Sequence, residues 1–252
     1  MPDATDAVAA LERIAYLLEE KLEPPYRVRA FRGAAASLKR AFTAYGEAFE
    51  DGTARLSFAG SDELAAQIRS GVRPDVFAAA NLELPRALFE EGLVETPRVF
   101  AANRLVLAVP ADKARVRSLD DVARAGVRLA IGAKAVPVGA YTRDVLARLG
   151  RERSRAILAN VRSEEPDVGG VAGKLTQGAV DAGFVYVTDV RAADGLRAVA
   201  LPDELLPRVT YGVAVVKGAR HRAAARRFVA GLVEGAGARA LRDAGFEPPP
   251  SR

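Results

Sequence analysis

Cysteine is absent from this chain of 252 residues, and histidine occurs once, at His221. The first absence excludes disulfides, thiolate metal sites, a cysteine nucleophile and a lipid-modified N-terminal cysteine. The scarcity of histidine argues against a His-based metal centre or a Ser-His-Asp triad. The lone His221 sits in the arginine-rich stretch 220 to 227, which reads as a solvated helix face. No apolar run approaches the roughly 20 residues of a membrane span. The start, Met-Pro-Asp-Ala-Thr-Asp, has neither the basic residues nor the apolar stretch of a secretory signal, so the expectation is a chain carrying no export signal. Acidic excess is lacking too, since the formal net charge is +5. The arginines are spread along the chain rather than gathered in a block with aromatics. The charge therefore reads as a mild steering field for anions, not as a nucleic-acid footprint.

What is present is a hydrophobic half: 50% of the residues are apolar, enough for a sizeable core in one large domain or two lobes. From about residue 54 short apolar runs alternate with helical patterns, which predicts an α/β chain of parallel strands joined by crossover helices. The strand candidates are 54–58, 75–78, 104–109, 127–131, 182–187, 196–200 and 209–216. Leu38, Phe42, Tyr45 and Phe49 share one helical face, and Ser118 with Asp121 forms a capping-box pattern. Gly71, Gly150 and Gly178 stand where a left-handed helix end is wanted.

Two runs, Gly-Ala-Ala-Ala-Ser-Leu at 33–38 and Ser-Phe-Ala-Gly-Ser at 57–61, place Ser37 and Ser61 where a strand gives way to an amphipathic helix. A helix start offers unpaired N–H groups and a partial positive charge, and a serine there adds a hydroxyl. Taken singly, each serine reads as an ordinary helix cap. By the same default Tyr186, within the apolar run 184–187, is a core aromatic with a satisfied hydroxyl. Gly-Gly-Val-Ala-Gly-Lys-Leu-Thr at 169–176 fails as a phosphate-binding P-loop: Val168 replaces the first glycine, and Leu175 follows the lysine.

Read together, seven segments in order resemble the molybdate-binding proteins of bacterial ABC importers. They are 34–38, 57–61, Leu-Ala-Ala-Gln-Ile at 64–68, Asp-Val-Phe-Ala-Ala-Ala at 75–80, Asn-Arg-Leu-Val-Leu-Ala-Val-Pro at 103–110, Val-Pro-Val-Gly-Ala-Tyr at 136–141 and Asp-Ala-Gly-Phe-Val-Tyr-Val-Thr-Asp at 181–189. The resemblance spans about Ala34 to Phe246. It implies a two-lobed periplasmic-binding-protein fold of type II, with an anion enclosed by hinge closure. It implies lobe 1 at 27–103 plus 210–252 and lobe 2 at 104–209; residues 1–26, outside it, are read from their own spacing as an additional N-terminal amphipathic helix. It also implies oxyanion ligands at Ser37 and Ser61 through hydroxyl and backbone N–H, at Ala80, Val138 and Val168 through backbone N–H, and at Tyr186 through its phenol. All six are neutral donors. A donor-only cage favours an oxyanion without a proton and disfavours hydrogen phosphate, whose hydroxyl needs an acceptor. Donor chemistry leaves molybdate, tungstate and sulfate open; the preference for molybdate comes from the resemblance.

The N-terminus departs from that pattern. Residues 8–36 resemble the opening of a helix-hairpin-helix domain such as leads the X-family DNA polymerases and their phosphoesterase-linked relatives. Only about one and a half helices are present and the catalytic carboxylates are missing, so no polymerase or DNA-binding role is carried over. Residues 7–22, with Leu11, Ile14, Leu17, Leu18 and Leu22 at helical spacing, are expected to form an amphipathic helix. The two resemblances conflict at 27–37. One needs a strand ending before Ser37; the other runs a single helix from 27 to Phe49, in which the Ser37 amide would bond four residues back and could not meet an anion. Alternation of Tyr26, Val28 and Ala30 with arginines favours the strand, as does Gly33.

The expectation is a non-enzymatic, monomeric solute-binding protein without cofactor, capturing molybdate or tungstate. A membrane permease of an ABC importer is its implied partner, and a periplasmic or extracytoplasmic place of action its implied location. Two other readings stay open: an intracellular oxyanion-sensing module, and a nucleic-acid binder acting through the N-terminal segment.

Overall fold

The computed structural model describes residues 27–31, 35–49, 54–112 and 115–250. The additional helix expected at 7–22, and residues 8–26 of the helix-hairpin-helix resemblance, lie outside them. The chain builds two five-stranded sheets of the same plan. In the first, the order is β2 (Arg55–Ala59), β1 (Arg27–Phe31), β3 (Val76–Ala79), β10 (Val209–Val215) and β4 (Arg98–Asn103). β1 is parallel to both β2 and β3, whereas β10 lies antiparallel between β3 and β4. In the second, the order is β7 (Val161–Glu165), β6 (Leu129–Gly132), β8 (Ala182–Tyr186), β5 (Leu105–Pro110) and β9 (Leu196–Val199). β6 is parallel to β7 and β8, and β5 is antiparallel to β8 and β9.

The sheets are therefore mixed, not parallel as expected. In each, one antiparallel strand arrives from the far side of a chain crossing: β5 immediately after β4, and β10 after β9. The strand reading of 27–31 holds against the continuous helix, because β1 pairs on both sides and a separate helix, α1 (Ala35–Glu47), starts after it.

Helices pack against the sheets: α2 (Ser61–Arg69) and α3 (Glu83–Glu90) on the first, and α4 (Pro137–Arg148), α5 (Arg151–Leu158), α6 (Val168–Thr176) and α7 (Val187–Ala192) with the second. Helices α8 (Arg222–Glu234) and α9 (Ala236–Asp243) return to α1 and the first sheet. The face of α1 read from spacing is buried through Leu38, Phe42 and Tyr45. Tyr45 stacks at 4.5 Å on Phe228 and donates its hydroxyl to the Phe228 carbonyl at 3.1 Å, while Phe42 meets Phe100 edge-on. Ser118 and Asp121 form the reciprocal cap: Asp121 N–H donates to Ser118 Oγ, and Ser118 N–H to Asp121 Oδ2. The element it caps is a short 3₁₀ turn over Asp120–Ala123. Gly71, Gly150 and Gly178 have φ of 101°, 85° and 69°, the left-handed conformation that ends their helices.

Candidate oxyanion site

Three helices begin at one place. The first turns of α2, α4 and α6 border a cavity of about 20 Å³ between the two sheets. Ser61 opens α2 after β2, and Ala80 follows β3, both from the first sheet. Pro137 and Val138 open α4 after β6, Asp167 and Val168 open α6 after β7, and Tyr186 ends β8, all from the second. First-turn amides have no acceptor within their own helix, and their dipoles point positive ends at the same void. Local sequence enforces the approach of α4. A Cβ on Gly139 would collide with the carbonyl oxygens of Gly132 and Ala133, so only glycine lets α4 begin this close to β6. Arg143 then ties the turn down, donating to the carbonyls of Gly132 at 2.9 Å and Gly139 at 3.1 Å. Opposite, a Cβ on Gly60 would lie 3.8 Å from the Pro166 carbonyl oxygen, so the two halves nearly touch at the rim.

Five of the six residues implied by the resemblance, Ser61, Ala80, Val138, Val168 and Tyr186, line this one cavity. Ser61 is 3% exposed, and its Oγ accepts the Ala80 N–H at 3.2 Å, which leaves the hydroxyl proton to donate elsewhere. Tyr186 is 1% exposed, and its buried hydroxyl has no hydrogen-bond partner among the described residues. Burial, and then the neighbouring Tyr211, Tyr141 and Asp189, push its pKa well above the usual phenol range. It therefore keeps its proton and stays a donor. The default view of Tyr186 as a core aromatic with a satisfied hydroxyl fails on that atom. An unpaired buried hydroxyl costs about 1–3 kcal/mol, which a guest in the cavity would relieve.

Ser37 is the sixth, and it is not among the lining residues. It occupies the first turn of α1, buried to 1% exposure, but its hydroxyl donates to the Thr188 carbonyl at 3.1 Å and accepts from Arg40 at 3.2 Å. Its single hydroxyl proton is committed to α7. Thr188 is held from the other side as well, its Oγ1 accepting from Asn103 Nδ2 at 2.8 Å. Asn103 also donates to Tyr211 Oη at 3.1 Å. The Ser37 hydroxyl thus belongs to a buried polar joint between the two sheets rather than to the cavity.

The wall is not donor-only. Asp167 brings a carboxylate to it, with Oδ1 accepting the Gly170 N–H at 2.8 Å as the cap of α6. Aspartate ahead of Val-Gly-Gly is a readable N-cap signal; that the cap also faces a cavity is not readable. Residues 169–176 are helix throughout, not a phosphate loop. His221 corrects its own expectation: it precedes α8, its backbone N–H donates to Asp75 Oδ1 at 2.9 Å, and its Nδ1 lies 3.2 Å from Asp75 Oδ2. Asp75 precedes β3, at the opposite end of that strand from Ala80, so the histidine is remote from the cavity. Among the described residues no cluster of three or more His, Asp or Glu side chains suits a metal ion, and no helix is long and apolar enough to cross a membrane.

Known proteins resemble this chain in sequence and in fold. The molybdate-binding protein ModA of Mycobacterium tuberculosis is 36% identical over 223 residues, covering 86% of this chain and 83% of its own. That of Escherichia coli is 30% identical over 174 residues, covering 64% and 66%. Among solved structures, the periplasmic molybdate-binding protein of Azotobacter vinelandii matches with a TM-score of 0.76 at 20% identity, over 89% of this chain and 100% of its own. The sulfate-binding protein SubI of M. tuberculosis matches at the same TM-score of 0.76 and 17% identity, over 88% and 86%. These place the fold among the type II periplasmic binding proteins. Residues 27–247 match the model for bacterial extracellular solute-binding proteins, a match that begins at β1 and leaves 8–26 outside it, and the chain belongs to that family.

Proposed function

We infer that this protein captures molybdate or tungstate in the cavity between its sheets and delivers it to the permease of an ABC importer outside the cytoplasm. Its role is capture, not catalysis. The observation that carries the reading is the Tyr186 hydroxyl: protonated, fully buried, unpartnered among the described residues, and carried by a residue that lines the void where three helices begin. Such a void offers donors from both halves, which suits a doubly negative tetrahedral guest. Ser61 through hydroxyl and N–H, Val138 and Val168 through N–H, and Tyr186 through its phenol are the proposed ligands. Ala80 serves through an amide that now supports Ser61. The segments 27–103 with 210–252, and 104–209, are the proposed lobes; one copy of the chain supplies every donor, which supports a monomer. The relatives named for molybdate support the choice of guest; the sulfate-binding neighbour shares only the fold. Calorimetric titration with molybdate, tungstate, sulfate and phosphate tests the reading. Tight binding of the first two is expected, and heat from none of the four would refute it.

A further inference from the structure

Asp189 is a buried acid that the capture reading leaves without a task. It is the third residue of α7 and 3% exposed. Its Oδ2 accepts the N–H of Tyr186 at 3.0 Å, while its Oδ1 is buried with no hydrogen-bond partner among the described residues. The groups that face it offer no counter-charge. Asp167, from the cap of α6, is another acid, and the phenols of Tyr186 and Tyr211 are neutral. Of the cations on adjoining elements, Arg40 of α1 bonds Ser37 Oγ, Arg191 of α7 the Gly245 carbonyl and Arg104 the Glu247 carboxylate, and none of Lys39 of α1, Lys174 of α6 and Arg197 of β9 pairs with Asp189. An ionised carboxylate here would be a buried charge with a bare oxygen beside a second acid, an arrangement proteins avoid by holding the proton.

We propose that Asp189 is a positioning residue for the anion cage: as an uncharged carboxylic acid it ties down the turn at the end of β8 and so fixes where Tyr186 presents its phenol. The proposal rests on the capture reading of the cavity. Burial pushes the Asp189 carboxyl up to about 8; the bond from Tyr186 N–H opposes the rise, and Asp167 adds to it. Between the ordinary carboxylate value of 3.8 and about 8, the folded chain holds a proton that the unfolded chain has released. Stability attributable to this group therefore falls as pH rises through that window and levels off above it. Above it the ionised carboxylate also repels the guest.

Asp189→Asn keeps a carbonyl to accept the Tyr186 N–H but cannot ionise, and it separates the two halves of the proposal. Melting curves of the ligand-free proteins across that window should show wild type losing stability relative to Asp189→Asn as pH rises toward about 8. Molybdate affinity should weaken several-fold above about pH 8 in wild type and stay level in Asp189→Asn. Asp189→Ala should weaken binding about tenfold, the loss of one hydrogen bond to a charged group, and add little to Tyr186→Phe. Parallel pH profiles for wild type and Asp189→Asn would overturn the neutral acid, and a folded Asp189→Asn that fails to bind would overturn the positioning role. Wild type that binds none of the oxyanions condemns the capture reading instead, and the ligand-free melting curves still decide on the proton.

Discussion

Ser61 and Ser37 each lie in the first turn of a helix that follows a strand of the first sheet, each is buried, and each looks equally suited to hold an anion. Their hydroxyls nevertheless meet different partners. Ser61 Oγ accepts from Ala80 N–H and borders the cavity, whereas Ser37 Oγ donates to the Thr188 carbonyl on α7. The local sequence is alike; the neighbour decides. Beside Ser61 the second sheet presents helix starts, whose amides donate, and its one carboxylate there, Asp167, already accepts from the Gly170 N–H. Beside Ser37 it presents a carbonyl of the six-residue α7, and a hydroxyl next to a buried carbonyl donates to it.

That contrast can be broken or sharpened by substitution. Ser61→Ala and Tyr186→Phe should each weaken molybdate binding by about 1.5–3 kcal/mol, roughly ten- to a hundredfold, in calorimetric titration. Ser37→Ala should leave the dissociation constant within about threefold but lower stability by about 1 kcal/mol in denaturant melts, because it removes the buried bond to the Thr188 carbonyl. Equal losses of affinity from Ser37→Ala and Ser61→Ala would abolish the distinction. Asn103→Ala removes the other support of Thr188. Its effect on melting should couple to that of Ser37→Ala by about 0.5 kcal/mol or more, whereas pairing Asn103→Ala with Ser61→Ala should be additive.

The smallest expected effect concerns Asp181, the residue before β8, which is shifted the other way from Asp189. Hydrogen bonds from Arg128 hold the Asp181 carboxyl below its ordinary value of 3.8, in spite of partial burial. Its contribution to stability is present above that value and is lost as pH falls through the lowered one. Asp181→Asn should therefore flatten the acid side of the melting profile and leave the alkaline side alone. Arg128 is half exposed, so solvent weakens the pair and keeps the change small.

Much of this architecture was legible because its signals are local. Seven strands, the face of α1, the Ser118–Asp121 cap and three helix-ending glycines follow from periodicity and backbone chemistry. Two strands were not legible, for different reasons. β7, Val-Arg-Ser-Glu-Glu, is an edge strand with half-exposed alternating residues and no apolar run to betray it. β4 abuts β5 with a single residue between them, and nothing in the sequence marks the point at which one sheet ends and the other begins. The antiparallel strands escaped for the same reason, since direction depends on where the chain crosses. At the site, the ordered segments led to five residues that meet at one cavity. The orientation of Ser37, the carboxylate of Asp167 and the empty hydrogen-bonding position at Tyr186 exist only once the two sheets face each other.

Arg104 is that single residue between β4 and β5. Its N–H is held by Asn103 Oδ1 at 2.9 Å, its carbonyl accepts from Val187 at 2.9 Å, and its guanidinium pairs with Glu247 at 2.8 Å. A joint so short has two soft torsions, φ and ψ, and here its own neighbours clamp the peptides on either side. Swinging the cavity open thus cannot be spread over a slack tether. Any opening would turn on this residue and on the longer return between β9 and β10, the two places where the chain passes from one sheet to the other.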